Sequence, residues 1–264
     1  MLLHFAFQAF SLPPYRQRKF ATAMNCMLFN TPAPFKLEPS DPRVAYLRSQ
    51  LKIPNGSNVY AGQAGEFICL AKVSYTEDGG ALLEVSRKLE NPPSQETTFC
   101  AAFSRPQIAR RILFEAACFG IKNVIFYPAN KGESAYAKSS LYSNGEYLDC
   151  LTRGAEQACS CTIPAFYTSS SLEECIAIAE RIAPTANAHL RIAPDVYEAT
   201  SKLPQISLSA TSKTHKTVVI GGERGFNSKE RDMLRNCGFE LISLGRRVLR
   251  TDTAAICIFS AFAQ

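Results

Sequence analysis

The chain has 264 residues, 46% hydrophobic and 20% charged, which is close to the globular average and makes disorder a poor description. Its longest apolar runs, such as Ala254 to Phe262, fall far short of the roughly 20 residues that cross a bilayer, so no transmembrane helix is expected. The net charge of +6 is modest, but basic residues outnumber acids between Lys213 and Arg250, and Arg105, Arg110 and Arg111 form a second cluster; such patches suit either a polyanion or a solvated face.

Residues Met1 to Phe10 are apolar, yet Arg16, Arg18 and Lys19 follow them, whereas a secretory signal carries its charge first. Met24 offers a second start, so residues 1–23 are read as an extension or a mis-called start. Asn25 to Phe29 is strand-like, and the proline-rich stretch Thr31 to Pro42 leads into a short helix over Val44 to Leu51. Strands are expected at Asn58 to Ala61, Glu66 to Ser74 and Ala81 to Arg87, separated by Gly62, Gly65 and the Asp78-Gly79-Gly80 turn. This pattern predicts a small β-barrel over residues 24–92. Asn91-Pro92-Pro93-Ser94 then reads as a linker, because consecutive prolines hold the chain extended and donate to no ladder.

From residue 97 to 264 strands alternate with helices, which is α/β grammar. Thr97 to Phe103 is a strand, Gln107 to Phe119 a helix closed by Gly120, and Asn123 to Tyr127 a buried strand. Residues 130–148 read as an irregular loop, Leu148 to Cys159 as a helix, and Leu172 to Ala183 as a helix with capping candidates at Ser169 to Ser171.

The C-terminal part is the most informative. The β-branched run Thr217 to Ile220 ends in Gly221-Gly222; Asn227 and Glu230 form a capping box; Gly238 ends that helix. Glu240 to Leu244 is the next strand and breaks at Gly245. A basic turn, Arg246 to Arg250, enters a last helix capped by Thr251 or Asp252. Two glycine-terminated strand ends side by side make a crevice of the kind that binds nucleotides in α/β proteins. The P-loop pattern GxxxxGK[ST] and the dinucleotide pattern GxGxxG are both missing, which disfavours phosphate cradling and a nucleotide-dependent oxidoreductase. An adenosine-type ligand and ordinary tight turns both remain open on these residues.

Ten cysteines are scattered without a CxxC pair, and His4, His189 and His215 lie far apart, so reduced thiols in a cytoplasmic protein are expected and a metal site is not.

The run Ile220-Gly221-Gly222-Glu223-Arg224-Gly225-Phe226, then Gly238-Phe239, Ser243-Leu244-Gly245 and Val248-Leu249-Arg250-Thr251-Asp252-Thr253-Ala254, resembles the signature of the bacterial 16S rRNA uridine-N3 methyltransferases of the SPOUT superfamily. The last string is the most specific, since turn and capping chemistry alone does not generate it. Ser104-Arg105-Pro106-Gln107 through Arg110-Arg111, the Glu156-Gln157 pair and Asp41-Pro42-Arg43 extend the resemblance at lower specificity over most of residues 24–264.

The resemblance implies a SPOUT-type, trefoil-knotted α/β methyltransferase domain behind a small PUA-like β-barrel that binds RNA. It implies S-adenosylmethionine as cofactor, 16S rRNA within the small ribosomal subunit as substrate, and a homodimer. Carried over by position, Pro194, Ile220, Gly221, Gly222, Glu223, Leu244, Gly245, Val248 and Leu249 would line the cofactor pocket. Arg250 would orient substrate or stabilise charge on the base, Glu223 would accept a proton or bind ribose, and Arg105, Arg110 and Arg111 would contact RNA phosphates. The loop departs from the family's G-P-E-G-G: Gly222 stands for proline and Arg224 for glycine. A catalytically impaired, RNA-binding relative is therefore the alternative expectation.

Overall fold

The computed structural model describes residues 25–183, 189–203 and 214–263; the expected extension over residues 1–23 lies outside them. Five strands, β1 (Met27–Phe29), β2 (Phe35–Leu37), β3 (Asn58–Gln63), β4 (Phe67–Tyr75) and β5 (Ala81–Leu89), form one sheet in the order β1-β3-β4-β5-β2. The Phe29 ring on β1 stacks on Phe35 of β2 at 4.3 Å, which draws the two edge strands together and nearly closes the sheet into the expected barrel. Its interior is the apolar cluster of Phe35, Leu37, Leu47, Val59, Val73 and Leu83, all essentially fully buried.

The helix expected over Val44 to Leu51 is present over residues 42–50 but is differently built. Asp41 caps it by accepting from the Arg43 N–H at 2.9 Å, and Pro42 starts α1 (Pro42–Ala45). A π-helical turn, Tyr46–Gln50, then closes with the Leu51 N–H on the Tyr46 carbonyl at 2.9 Å.

The second sheet has seven strands: β6 (Gln95–Ala102), β7 (Ile121–Tyr127), β8 (Ala165–Thr168), β9 (His189–Pro194), β10 (Ser201–Lys202), β11 (His215–Ile220) and β12 (Glu240–Ser243). Their order is β10-β12-β9-β11-β6-β7-β8, with every neighbouring pair parallel. β11 is buried along its whole length because helices cover both faces. On one face lie α2 (Pro106–Cys118), the short α3 (Ser140–Ser143), α4 (Glu146–Gln157) and, after two further helices, the C-terminal one. The opposite face carries α5 (Leu172–Ile182) and α6 (Ser228–Asn236). The C-terminal helix, α7 (Thr251–Phe262), sets Phe259 edge-on to Phe99 at 4.7 Å, and such full burial of a phenylalanine contributes about 1.5–3 kcal/mol.

Three expectations need correction. The strand ends at Gly221 and Gly245 are not side by side: β9 lies between β11 and β12 and brings Pro194 to the same edge. β12 enters the sheet between β9 and β10. The cap of α7 is Arg250, not Thr251 or Asp252; both of these are already helical, and the Arg250 carbonyl accepts from the Ala254 N–H at 2.9 Å. Residues 130–148 are also less irregular than expected, holding the 3₁₀ turn Tyr136–Lys138, α3 and the start of α4.

The barrel is fastened to the α/β part by backbone and carboxylate contacts. Glu156 accepts at its carbonyl from Cys26 at 2.9 Å, and at Oε1 from the Leu28 N–H at 3.0 Å. Asn91 of the linker accepts from the Cys161 N–H at 2.8 Å.

Candidate ligand cleft at the carboxyl edge of the parallel sheet

Where β11 runs out, Gly221 leaves the sheet under tight constraint: a Cβ there would sit 3.2 Å from the Gly225 carbonyl carbon and 3.3 Å from the Phe226 nitrogen. The chain then turns back on itself, with the Gly225 N–H on the Gly222 carbonyl at 2.9 Å and Gly225 at φ +63°. Phe226, 1% exposed, anchors the far side of this loop. Asn227 and Glu230 make the expected capping box at the start of α6. The buried Glu230 carboxylate also accepts from the Asn130 N–H at 3.0 Å, which ties the loop after β7 to the loop after β11.

The loop after β12 turns on Gly245, whose φ of +122° suits no other residue, and its N–H donates to Ser243 Oγ at 3.1 Å. β9 supplies the third wall. After Pro194, the buried Asp195 carboxylate accepts from the N–H groups of Tyr197 and Glu198, both at 2.7 Å. Its other oxygen accepts from Arg231 Nε at 2.9 Å, so a buried ion pair fixes this loop to α6.

These three loops enclose a cleft of about 620 Å³. Pro194, Ile220, Gly221, Gly222, Glu223, Leu244, Gly245, Val248 and Leu249, drawn from three separate strand ends, all line it, as do Arg105 and Arg250. Arg224 lines it too, as an exposed side chain. Arg105 Nε approaches Glu223 Oε1 to 3.4 Å across the mouth. The Tyr136 hydroxyl first, and then the carboxylate of Glu223, hold the Arg105 guanidinium above its ordinary range.

The structure does not bring Arg110 or Arg111 into the cleft. Arg110 pairs with Glu146 at 2.5 Å, and Arg111 with the buried Asp252 at 3.0 Å. Sequence reasoning missed Asp195, Tyr197, Arg247 and Ala254, which also line the cleft or hold its walls. The only signal for the first pair was the short segment after Pro194, and nothing in it distinguishes a wall from a connection.

A cleft of this size, walled by apolar side chains and glycine backbone with a few charged groups at its rim, defines a small-ligand site of an α/β protein. Residues 90–263, about two thirds of the chain, match the RNA methyltransferase domain family. The chain belongs to that family. The ribosomal RNA small subunit methyltransferase E of Treponema pallidum is 27% identical over 223 residues, covering 81% of this chain and 80% of that protein. The ribosomal RNA small subunit methyltransferase E 1 of Borreliella burgdorferi is 26% identical over 221 residues, covering 82% and 87%. The fold is that of SPOUT-type methyltransferases. A ribosomal RNA small subunit methyltransferase E from Neisseria gonorrhoeae, solved bound to S-adenosyl methionine, superposes with a TM-score of 0.69 at 17% identity, covering 90% of this chain and 96% of that one. A Legionella pneumophila methyltransferase in complex with the same cofactor matches with the same score and coverage.

Proposed function

We propose that this chain methylates N3 of a uridine in 16S ribosomal RNA of the small subunit, using S-adenosylmethionine bound in the cleft between the three strand-end loops. The observation that carries the reading is the convergence of Pro194, Gly221 and Gly245 on one cleft whose mouth is rimmed by Arg105 and Arg250. The named relatives support the substrate, and the two neighbours solved with the cofactor support the ligand.

The residues present fit that ligand. Gly221 and Gly245 let the backbone approach a nucleoside closely, Leu244, Val248 and Leu249 give an apolar wall, and the volume accommodates a molecule of that size. When bound, S-adenosylmethionine supplies an electrophilic methyl group. The chain's part is to present a uridine nitrogen to it and to manage the N3 proton. Uridine must be unpaired for its N3 edge to be reached, so the substrate is a single-stranded or unstacked position. Arg250, at the mouth with 68% of its side chain exposed, orients the RNA substrate or stabilises negative charge as it develops on the base. Glu223, held beside Arg105, accepts the proton or binds a ribose hydroxyl. The barrel and the basic side chains provide the RNA surface, and the reaction takes place in the cytoplasm.

The rim also carries exposed apolar side chains, Val196, Tyr197 and Val248, the last two more than three quarters exposed. They support a homodimer in which a second copy closes this side of the cleft. A second reading, an RNA-binding relative with impaired catalysis, rests on Arg224 in the cleft wall. Incubating the protein with small-subunit RNA and S-adenosylmethionine, then mapping methylated nucleotides by mass spectrometry, tests the first reading: one N3-methylated uridine is expected. RNA binding with no methylation would support the second.

A further inference from the structure

Asp252 stands in the first turn of α7 with its side chain 2% exposed, yet its two oxygens are shared between arginines that are mostly in solvent. Oδ2 lies 3.0 Å from Arg111 Nη1 of α2, and Oδ1 lies 3.5 Å from Arg250 Nε. Oδ1 also accepts from the Thr253 N–H at 3.1 Å. Oδ2 makes no aligned hydrogen bond among the described residues and is held by charge alone. The two guanidinium groups are 60% and 68% exposed, so each keeps most of its five donors for something outside the protein.

A buried carboxylate is costly unless paired, and one arginine would satisfy it. Two arginines on one carboxylate leave a net positive charge, with both guanidinium groups largely in solvent and Arg250 on the cleft lining. That geometry matches a single phosphodiester, whose oxygens accept bidentate guanidinium donors. Resting on the reading of this chain as an RNA-acting enzyme, we propose that Arg111 and Arg250 form one clamp for a phosphate of the RNA backbone, with Asp252 as the positioning residue that aligns both. Arg111 is thereby joined to the cleft although it does not line it. Arg110, paired with Glu146 instead, lies outside the clamp.

The test is filter binding of the full chain to deproteinised small-subunit RNA across a salt series, for wild type, Arg111→Ala, Arg250→Ala and the double variant. Each single substitution is expected to weaken binding about tenfold, as for loss of a charge-assisted hydrogen bond. The double variant should bind little worse than the weaker single one, because both side chains serve one phosphate. Losses that multiply in the double variant would overturn the clamp. Asp252→Asn removes a negative charge, and general electrostatics alone would make it bind RNA more tightly; the positioning role predicts weaker binding, partly restored in Asp252→Glu. Unchanged or tighter binding by a variant with the wild-type circular dichroism spectrum would overturn the role of Asp252. Should Asp252→Asn fail to fold, the arginine cycle decides alone. Wild type that binds RNA through the clamp but shows no cofactor binding in calorimetry would sink the functional reading and leave the clamp standing. Wild type that methylates while both arginine variants keep full RNA affinity would sink only the clamp.

Discussion

The carboxylate of Glu156 accepts the backbone N–H of Leu28 at 3.0 Å, joining two residues 128 positions apart and holding the first barrel strand against α4. Burial pushes this carboxyl above its ordinary value of 4.5, partly opposed by the hydrogen bond from Leu28. The native state therefore favours the protonated acid, so the group's contribution is most favourable at low pH and declines as pH rises above 4.5 through the raised value. Glu156→Ala should lose about 1–3 kcal/mol by orphaning the Leu28 donor. Glu156→Gln keeps the acceptor without the charge and should be at least as stable as wild type at pH 8. Urea denaturation of both variants checks this, and a Gln variant as weak as the Ala variant would contradict it.

Gly245 predicts a separable effect at the cleft. Open space surrounds the position of a Cβ there, but φ is +122°, so Gly245→Ala is strained by backbone conformation rather than by contact. A cost of about 1–3 kcal/mol is expected, either in stability or as a shifted loop. Because this loop lines the cleft, cofactor affinity in calorimetry should fall more than the melting temperature does. A variant with wild-type affinity would show that the loop does not hold the ligand.

The parts of the chain that were legible in advance are those where local chemistry and global packing agree. The buried β-branched run before Gly221, the Asn227 and Glu230 capping box, and Gly238 at φ +77° all stand where the pattern put them. What escaped were features decided by partners far away in sequence. β2 and β8 are too short to show a period, and β9 slipped between β11 and β12 because strand order is a tertiary property. Asp252 was misplaced as a cap because Asp at a helix start normally caps; here it turns instead to Arg111 of α2. The cleft residues were legible through resemblance, and the wall formed by Asp195 and Tyr197 was not, since Arg231 that fixes it lies 36 positions later.

Acid should weaken the fold through two histidines at the opposite end of the sheet. His189 and His215 meet edge-on at 5.1 Å, each bonded to a threonine hydroxyl, Thr217 at 2.8 Å and Thr98 at 3.2 Å. Burial lowers both below the ordinary value of 6.5, with Arg191 adding to the effect at His189 and His189 itself at His215. A lowered base binds its proton more readily when unfolded, so this stability is present above pH 6.5 and is lost as pH falls through the depressed values. Urea midpoints at pH 5.5 and 7.5 should differ in that direction, and the double variant His189→Asn, His215→Asn should flatten the difference. An undiminished pH effect in that variant would assign it to other groups.

Arg224 tests the departure from the family's loop. Its exposed side chain borders the cleft and adds positive charge where a cationic sulfonium is expected. Arg224→Gly should tighten S-adenosylmethionine binding several-fold without changing the melting temperature of the free protein. Equal affinities would remove Arg224 from the account of the site.

The most direct measurement is titration calorimetry of the folded wild-type chain with S-adenosylmethionine. Saturable binding that Gly245→Ala weakens is the result predicted for a cofactor seated between the loops at Pro194, Gly221 and Gly245. A folded protein that takes up no cofactor even at millimolar concentration would contradict it.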